Sequence, residues 1–134
     1  MGLLGAHARL NAKTLIKGDK LFTEFKGALT ENYVAQEFTA SGIALHYWVS
    51  AGTAEIDFVL QLEDKILPLE TKAGVSSKKK SLLAYANKYK ATLLLCSTLM
   101  NLKQNNQIYN YPLYMVGKLP TLFSKQMNGN QVID

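Results

Sequence analysis

The chain has 134 residues, 48% of them hydrophobic, so its length and composition suit one domain with a core of its own. Fifteen lysine and arginine residues against ten aspartate and glutamate residues give a net charge of +5, which favours an anionic partner. The single cysteine, Cys96, excludes an intramolecular disulfide, and no apolar run has the length of a membrane span or the pattern of a signal peptide. These features predict a cytoplasmic protein that does not associate with a membrane.

One long helix is predicted after a weakly patterned N-terminal segment. Residues 1–24 are expected to form a linker or a packing segment, and a helix is expected from about Glu24 to Ser41, ended by Gly42. The face of this helix that carries Glu31 also carries Gly27, Ala28, Val34, Ala35 and Phe38. A carboxylate on such a face should be paired, metal-bound or shifted in pKa; a solvated edge position or a salt bridge to a lysine is the alternative.

Three strands are predicted next, at residues 45–49, 56–62 and 66–73. The last two flank the turn residues Glu63, Asp64 and Lys65 and are expected to form a hairpin. If Glu63 and Asp64 make a two-residue turn, Leu62 lies opposite Lys65, and the register continues along both strands.

In that register Asp57 lies opposite Glu70, and Lys72 shares their face by the period of two along a strand. Two carboxylates roughly 5 Å apart on neighbouring strands repel by about 3 kcal/mol at an effective dielectric of about 20. A divalent cation would reverse the sign of this interaction, and oxygen ligands favour Mg²⁺ or Mn²⁺. The alternative is a solvated hairpin in which Lys72 neutralises Glu70.

The second half of the chain is predicted to contain a helix and two further strands. Ser76 or Ser77 is expected to cap a helix that runs to about Tyr89. Its buried stripe is predicted to be Leu82, Tyr85, Ala86 and Tyr89. A strand at residues 91–97 should lie parallel to the strand before the helix. A polar connection at residues 101–107, a last strand at 111–117 and a loose tail from Phe123 complete the prediction.

Three consecutive lysines, Lys78, Lys79 and Lys80, lie at the start of this second helix, where the helix dipole disfavours cations. They mark either a contact with nucleic-acid phosphate or a solvated basic turn. Because Arg9 is the only arginine, contact with DNA is expected to be directed at the backbone, without sequence specificity.

The order helix–strand–strand–strand–helix–strand, with Glu31 on the first helix, Asp57 on the second strand and Glu70-Thr71-Lys72 on the third, resembles the PD-(D/E)XK nuclease superfamily. The resemblance implies a restriction-endonuclease-like, three-layer α/β/α core with a mixed central sheet at residues 25–119, followed by a C-terminal tail at 120–134. Residues 25–37, 47–48, 54–58 and 67–74 are more narrowly similar to the C-terminal domain found behind an AAA-type ATPase module in predicted prokaryotic ATPases. The phosphate-loop pattern G-x-x-x-x-G-K-S/T does not occur in the chain, so the ATPase module would be a partner in cis or in trans.

The superfamily resemblance implies metal-dependent hydrolysis of DNA phosphodiesters, with Mg²⁺ or Mn²⁺ as the cofactor. Asp57, Glu70 and the backbone carbonyl of Thr71 would hold the cation, and Glu31 would be a further ligand, direct or through water. Lys72 would orient or help to deprotonate the attacking water and offset the charge of the transition state. The alternative function is a non-catalytic module of a predicted ATPase that binds DNA or protein and retains the nuclease fold.

Overall fold

The computed structural model describes residues 20–74 and 79–129. In these two ranges the α-helices are α1 (Lys20–Ala40), α2 (Lys80–Tyr89) and α3 (Leu119–Gly129). The strands are β1 (His46–Val49), β2 (Glu55–Leu62), β3 (Lys65–Thr71), β4 (Leu94–Thr98), β5 (Lys103–Asn105) and β6 (Ile108–Pro112). A 3₁₀ helix, Leu113–Lys118, joins β6 to α3. No helix of the described residues combines the length and the hydropathy that a membrane span needs.

The strands form one mixed sheet in the order β1-β2-β3-β4-β6-β5. Strands β1, β2 and β3 are antiparallel neighbours, β3, β4 and β6 are parallel, and β5 returns antiparallel along the edge of β6. The predicted α/β class and the predicted order of elements are confirmed from α1 to β4, including the parallel pairing of β3 with β4 across α2.

Helices cover both faces of the sheet. On one face, Val34 and Phe38 of α1 join Leu69 of β3 and Leu95 of β4 in the larger core cluster. On the other face, α2 packs against a second cluster. Its buried members are Ile56, Leu82, Tyr85, Ala86, Leu94, Cys96 and Ile108. Since successive residues of a strand point to opposite faces, Leu94 and Leu95 divide between the two clusters and the sheet forms the middle layer.

The C-terminus of α1 is fixed by its glycine, as predicted. Gly42 adopts a left-handed φ of 73°. Its N–H donates to the carbonyl of Thr39 at 3.0 Å, and the N–H of Ile43 donates to the carbonyl of Phe38 at 2.9 Å. These two bonds form the Schellman motif, which satisfies carbonyls that the helix leaves without partners.

The predicted hairpin register is also confirmed where β2 and β3 pair. Leu62 lies opposite Lys65 and Phe58 opposite Leu69. Glu63 has a positive φ of 56°, in the region that tight two-residue hairpin turns use. Phe58, Leu60 and Leu62 of β2 therefore lie in one core cluster, whereas Ile56 lies in the cluster on the other face of the sheet.

The region predicted as a polar connection and a last strand at residues 111–117 differs from the prediction. A second tight hairpin pairs Asn105 with Ile108, and Asn106 at its turn has a φ of 51°, which asparagine tolerates better than most residues. The strand begins at Ile108 and ends at Pro112, which has no N–H with which to continue a ladder. Residues 113–117 are therefore in the 3₁₀ helix rather than in a strand.

Helix α2 begins later than predicted and leaves one predicted core residue exposed. Its N-cap is Lys79, without a side-chain capping bond, and Ser76, Ser77 and Lys78 lie outside the described residues. Leu82, Tyr85 and Ala86 are buried as predicted. Tyr89 is 50% exposed because the helix ends there, and its ring contacts Trp48 instead. The predicted strand at 91–97 begins only at Leu94.

The expected loose tail from Phe123 is wrong as far as Gly129, since this segment belongs to α3. Leu119 and Phe123 are buried in the larger core cluster, with Phe123 only 2% exposed. Pro120 in the first turn and the spacing of Leu119, Leu122 and Phe123 are helix signals that sequence reasoning overlooked.

Phe123→Ala should therefore destabilise the fold by about 3–5 kcal/mol, because it removes a large side chain from a closed core. Lys125→Ala, at an exposed position of the same helix, should change stability little. Urea unfolding followed by circular dichroism measures both. Equal midpoints for Phe123→Ala and wild type would show that α3 does not close the core.

Candidate functional site

A bulge in β2 sets the direction of Asp57. His46 of β1 pairs with Val59, but Trp48, two residues on, pairs with Ile56, so β2 carries one extra residue at Asp57 or Phe58. Regular pairing of β2 with β3 ends at Phe58 opposite Leu69. Bulges bend a strand and re-aim its side chains, often beside functional sites.

The Asp57 carboxylate reaches β3 beyond the end of this ladder. Its Oδ2 atom accepts a hydrogen bond from the backbone N–H of Thr71 at 2.7 Å and another from the Thr71 hydroxyl at 3.0 Å. The predicted pair of Asp57 with Glu70 is not part of the regular β2–β3 ladder, but the charge of Asp57 acts on Glu70, and the Asp57 side chain is hydrogen-bonded to Thr71.

Glu70 is a buried carboxylate, with 6% of the residue exposed. Its Oε1 accepts from the ammonium group of Lys72 at 2.8 Å, and the side chain of Lys72 is 41% exposed. Its other oxygen, Oε2, is buried and accepts no hydrogen bond from the part of the chain that the structure describes. The ion pair of the alternative is present, but the hairpin is not solvated at Glu70, which is buried.

Burial raises the pKa of Glu70 above its ordinary value. The hydrogen bond and the positive charge of Lys72 lower this pKa in part, and the charge of Asp57 raises it again. The environment of Glu70 thus favours a proton or a cation at its second oxygen.

The pKa of Lys72 is also raised. Burial alone lowers it, but the hydrogen bond and the charge of Glu70, followed by the charges of Asp57 and Glu31, outweigh burial. Lys72 therefore stays protonated at neutral pH. The roles predicted for Lys72, orienting or helping to deprotonate the attacking water and offsetting charge, stay predictions; its protonated form in the absence of metal suits the orienting and charge-offsetting roles.

Glu31 lies at the border of the buried stripe of α1, not within it. Thr30, Val34 and Phe38 are buried, whereas Glu31 is largely exposed. Partial burial raises the pKa of Glu31; the charge of Asp57 raises it further, and the charge of Lys72 lowers it. Glu31 is thus close enough to Asp57 and Lys72 for their charges to shift its pKa, and its position is solvated.

The carboxylates can be tested for their fit to a metal. Within residues 20–74 and 79–129, no group of three or more His, Cys, Asp or Glu side chains converges closely enough to hold an ion. Asp57 and Glu70, with the unpaired Oε2 of Glu70, fit the two-carboxylate pattern of Mg²⁺ and Mn²⁺ sites that keep several water ligands. The predicted role of Glu31 as a further ligand, direct or through water, stays a prediction.

Two residues near the site were not assigned to it from the sequence. Cys96 pairs with Glu70 in the β3–β4 ladder and is buried, as predicted for a core thiol. Burial raises the pKa of Cys96 to about 11, and the charge of Lys79 lowers it in part. The second is the side chain of Thr71, from which only a backbone carbonyl was expected. The position of Thr71 in the sequence, between Glu70 and Lys72, was the signal from which a side-chain role could have been predicted.

The structure brings part of the predicted lysine group near the site. Lys79 precedes α2 on the face that carries Cys96, where its charge acts on the thiol. Lys80 is exposed in the first turn of α2, and Lys78 is outside the described residues. A role of these lysines in binding nucleic acid stays a prediction.

Comparison with known proteins gives one match. The model of a family described as a domain of unknown function, DUF4143, matches residues 26–116, and the chain belongs to this family. Domains of this family are commonly the C-terminal part of ATPase-associated proteins. No curated protein and no solved structure matches the chain.

The raised pKa of Glu31 predicts a pH-dependent stability. A carboxylate whose folded pKa exceeds its unfolded pKa adds stability below the unfolded value, near 4.5, and loses it as pH rises through the folded value. In metal-free buffer, Glu31→Gln should therefore gain stability relative to wild type as pH rises from 4 to 7. Glu24→Gln, on an exposed part of the same helix, is the control. Parallel pH profiles of melting temperature for Glu31→Gln and wild type would contradict the raised pKa of Glu31.

Proposed function

We propose that this DUF4143 domain is a metal-dependent phosphodiesterase of the PD-(D/E)XK kind that acts on DNA. The observation that carries the proposal is the Oε2 atom of Glu70, which is buried beside Asp57 and Lys72 and accepts no hydrogen bond from residues 20–74 and 79–129. A buried carboxylate oxygen without a partner is costly, and a cation ligated by it removes that cost. A divalent cation would thus supply the partner that this oxygen lacks.

The arrangement of strands and helices gives the proposal separate support. An antiparallel β1–β2–β3 unit, a crossover through α2 and a parallel β4 are the arrangement expected of a restriction-endonuclease-like core. Asp57 is beside a bulge near the start of β2, and Glu70 is near the end of β3. Antiparallel pairing brings these two ends together, and α1 presents Glu31 toward them.

In this proposal Asp57, Glu70 and the Thr71 carbonyl hold Mg²⁺ or Mn²⁺, and Glu31 contacts it through water. When bound, the cation neutralises charge on the phosphate and lowers the pKa of a water ligand. Lys72, held protonated by Glu70, orients that water and stabilises negative charge that develops on the phosphate oxygens. The basic surface, including Lys79 and Lys80, contacts the DNA backbone.

The second candidate function is a non-catalytic module that binds DNA or protein for a partner ATPase. It is favoured by the common position of DUF4143 domains in ATPase-associated proteins. The Lys72–Glu70 ion pair is compatible with it, because each group partly compensates the other without a metal. The two candidates differ in whether the carboxylates bind a cation and whether DNA is cut.

Cation binding is tested by thermal unfolding. Mg²⁺, Mn²⁺ or Ca²⁺ at a hundredfold excess over its Kd should stabilise wild type by about 2.7 kcal/mol. Asp57→Asn keeps an oxygen acceptor for Thr71 and relieves the repulsion of Glu70 and Glu31, so it should raise the melting temperature without metal and abolish the cation response. Asp64→Asn, in the hairpin turn, is the matched control. A wild type whose melting temperature ignores all three cations would contradict the metal site.

Cleavage is tested by nicking of supercoiled plasmid beside titration with Mn²⁺. Lys72→Ala should bind Mn²⁺ nearly as wild type does and lose cleavage, whereas Glu70→Ala should lose both. Lys65→Ala, at the other end of β3, should keep both. If wild type binds Mn²⁺ and DNA but leaves supercoiled, linear and branched DNA intact, the non-catalytic module replaces the nuclease.

A further inference from the structure

The side chain of Thr71 has a contact that the predicted role of its backbone carbonyl does not explain. Its hydroxyl and its own backbone N–H both donate to the same oxygen of Asp57, at 3.0 and 2.7 Å. Thr71 is 3% exposed, so bulk water has no access with which to replace this hydroxyl. The two donors come from one residue and form a two-point clamp on Oδ2 of Asp57.

The clamp holds Asp57 at a point of β2 where regular backbone pairing with the neighbouring strands is interrupted. Regular pairing with β3 ends at Phe58, and the register shift against β1 falls at Asp57 and Phe58. By contrast, Thr71 lies within β3 and pairs with Ser97 of β4, and the N–H of Lys72 continues that ladder to the Ser97 carbonyl at 2.9 Å. Thr71 is therefore the rigid partner, and Asp57 the one that is held.

We propose that the Thr71 hydroxyl is a positioning residue for the cation site and fixes Asp57 with one oxygen bound and the other turned to the ligand. This inference rests on the proposed function. The N–H alone leaves the carboxylate free to rotate about one hydrogen bond. The hydroxyl adds a second, charge-assisted bond and sets the plane of the carboxylate relative to Glu70. Partners that hold metal ligands in this way typically change metal affinity 10- to 100-fold when they are removed.

The test compares Thr71→Val, which keeps the shape and lacks the hydroxyl, with Thr71→Ser, which keeps the hydroxyl. Titration of the full chain with MnCl₂ by calorimetry should show an affinity at least about tenfold weaker for Thr71→Val and close to wild type for Thr71→Ser. Thr98→Val is the control, because it also removes a buried hydroxyl with a side-chain partner, Asn110, outside the carboxylate cluster. It should lower the melting temperature and leave Mn²⁺ affinity unchanged.

The outcomes separate this inference from the proposed function. Equal Mn²⁺ affinity for wild type and Thr71→Val, with a lower melting temperature for the variant, would reduce Thr71 to a structural residue and leave the metal site standing. Equal weakening in Thr71→Val and Thr71→Ser would overturn the role of the hydroxyl. A wild type that binds no Mn²⁺ would overturn both the positioning role and the metal site. If Thr71→Val fails to fold, Thr71→Ala and Thr71→Ser are compared instead, with the same affinity ratio deciding.

Discussion

Burial of the Glu70 carboxylate is the constraint on which the site depends. Glu70 sits on β3 between the bulged strand β2 and the parallel strand β4, on the face that α2 covers. Covering this face builds the second core cluster but removes water from a charged group. Lys72, two residues along the same strand, compensates one oxygen of Glu70. In the proposed metal site the second oxygen of Glu70 would be a ligand that is already removed from water before a cation arrives.

The ionisation of Lys72 follows from the same constraint. A lysine that is half withdrawn from water would ordinarily lose affinity for its proton, but the carboxylates beside it reverse that tendency. A cation held by Asp57 and Glu70 would compete with Lys72 for the negative charge of Glu70. This competition would reduce the stabilisation that Glu70 gives to the protonated form of Lys72. In the proposed metal-bound site Lys72 would therefore depend less on Glu70 for its charge than it does without metal.

The parts predicted from the sequence were those fixed by local chemistry. Gly42 ends α1 because its backbone conformation suits glycine, and the β2–β3 register follows from a short turn and alternating apolar residues. The 3₁₀ helix after Pro112 and the burial of α3 depend on a surface built by α1 and the sheet, which no local pattern encodes. The bulge beside Asp57 is also a tertiary effect, since it appears only in the mismatch of β1 with β2. Consequently the closeness of Glu31 to Asp57 and Lys72 was predictable, and a solvated position of Glu31 was one of the alternatives that the sequence left open, but the clamp by Thr71 was not predictable.

The charge of the site and the net charge of the chain have opposite signs. This difference would affect how the protein binds a nucleic acid. The chain carries a net charge of +5, yet Asp57, Glu70 and Glu31 surround a single ammonium group at the site. A DNA phosphate attracted by the lysines would be repelled by the carboxylates of the site. At short range, salt would screen this repulsion little. A divalent cation changes the sign of the local charge without altering the surface that attracts the phosphate. If the domain binds DNA as proposed, the lysines would attract it in the absence of metal, but a phosphodiester would enter the site only together with a cation.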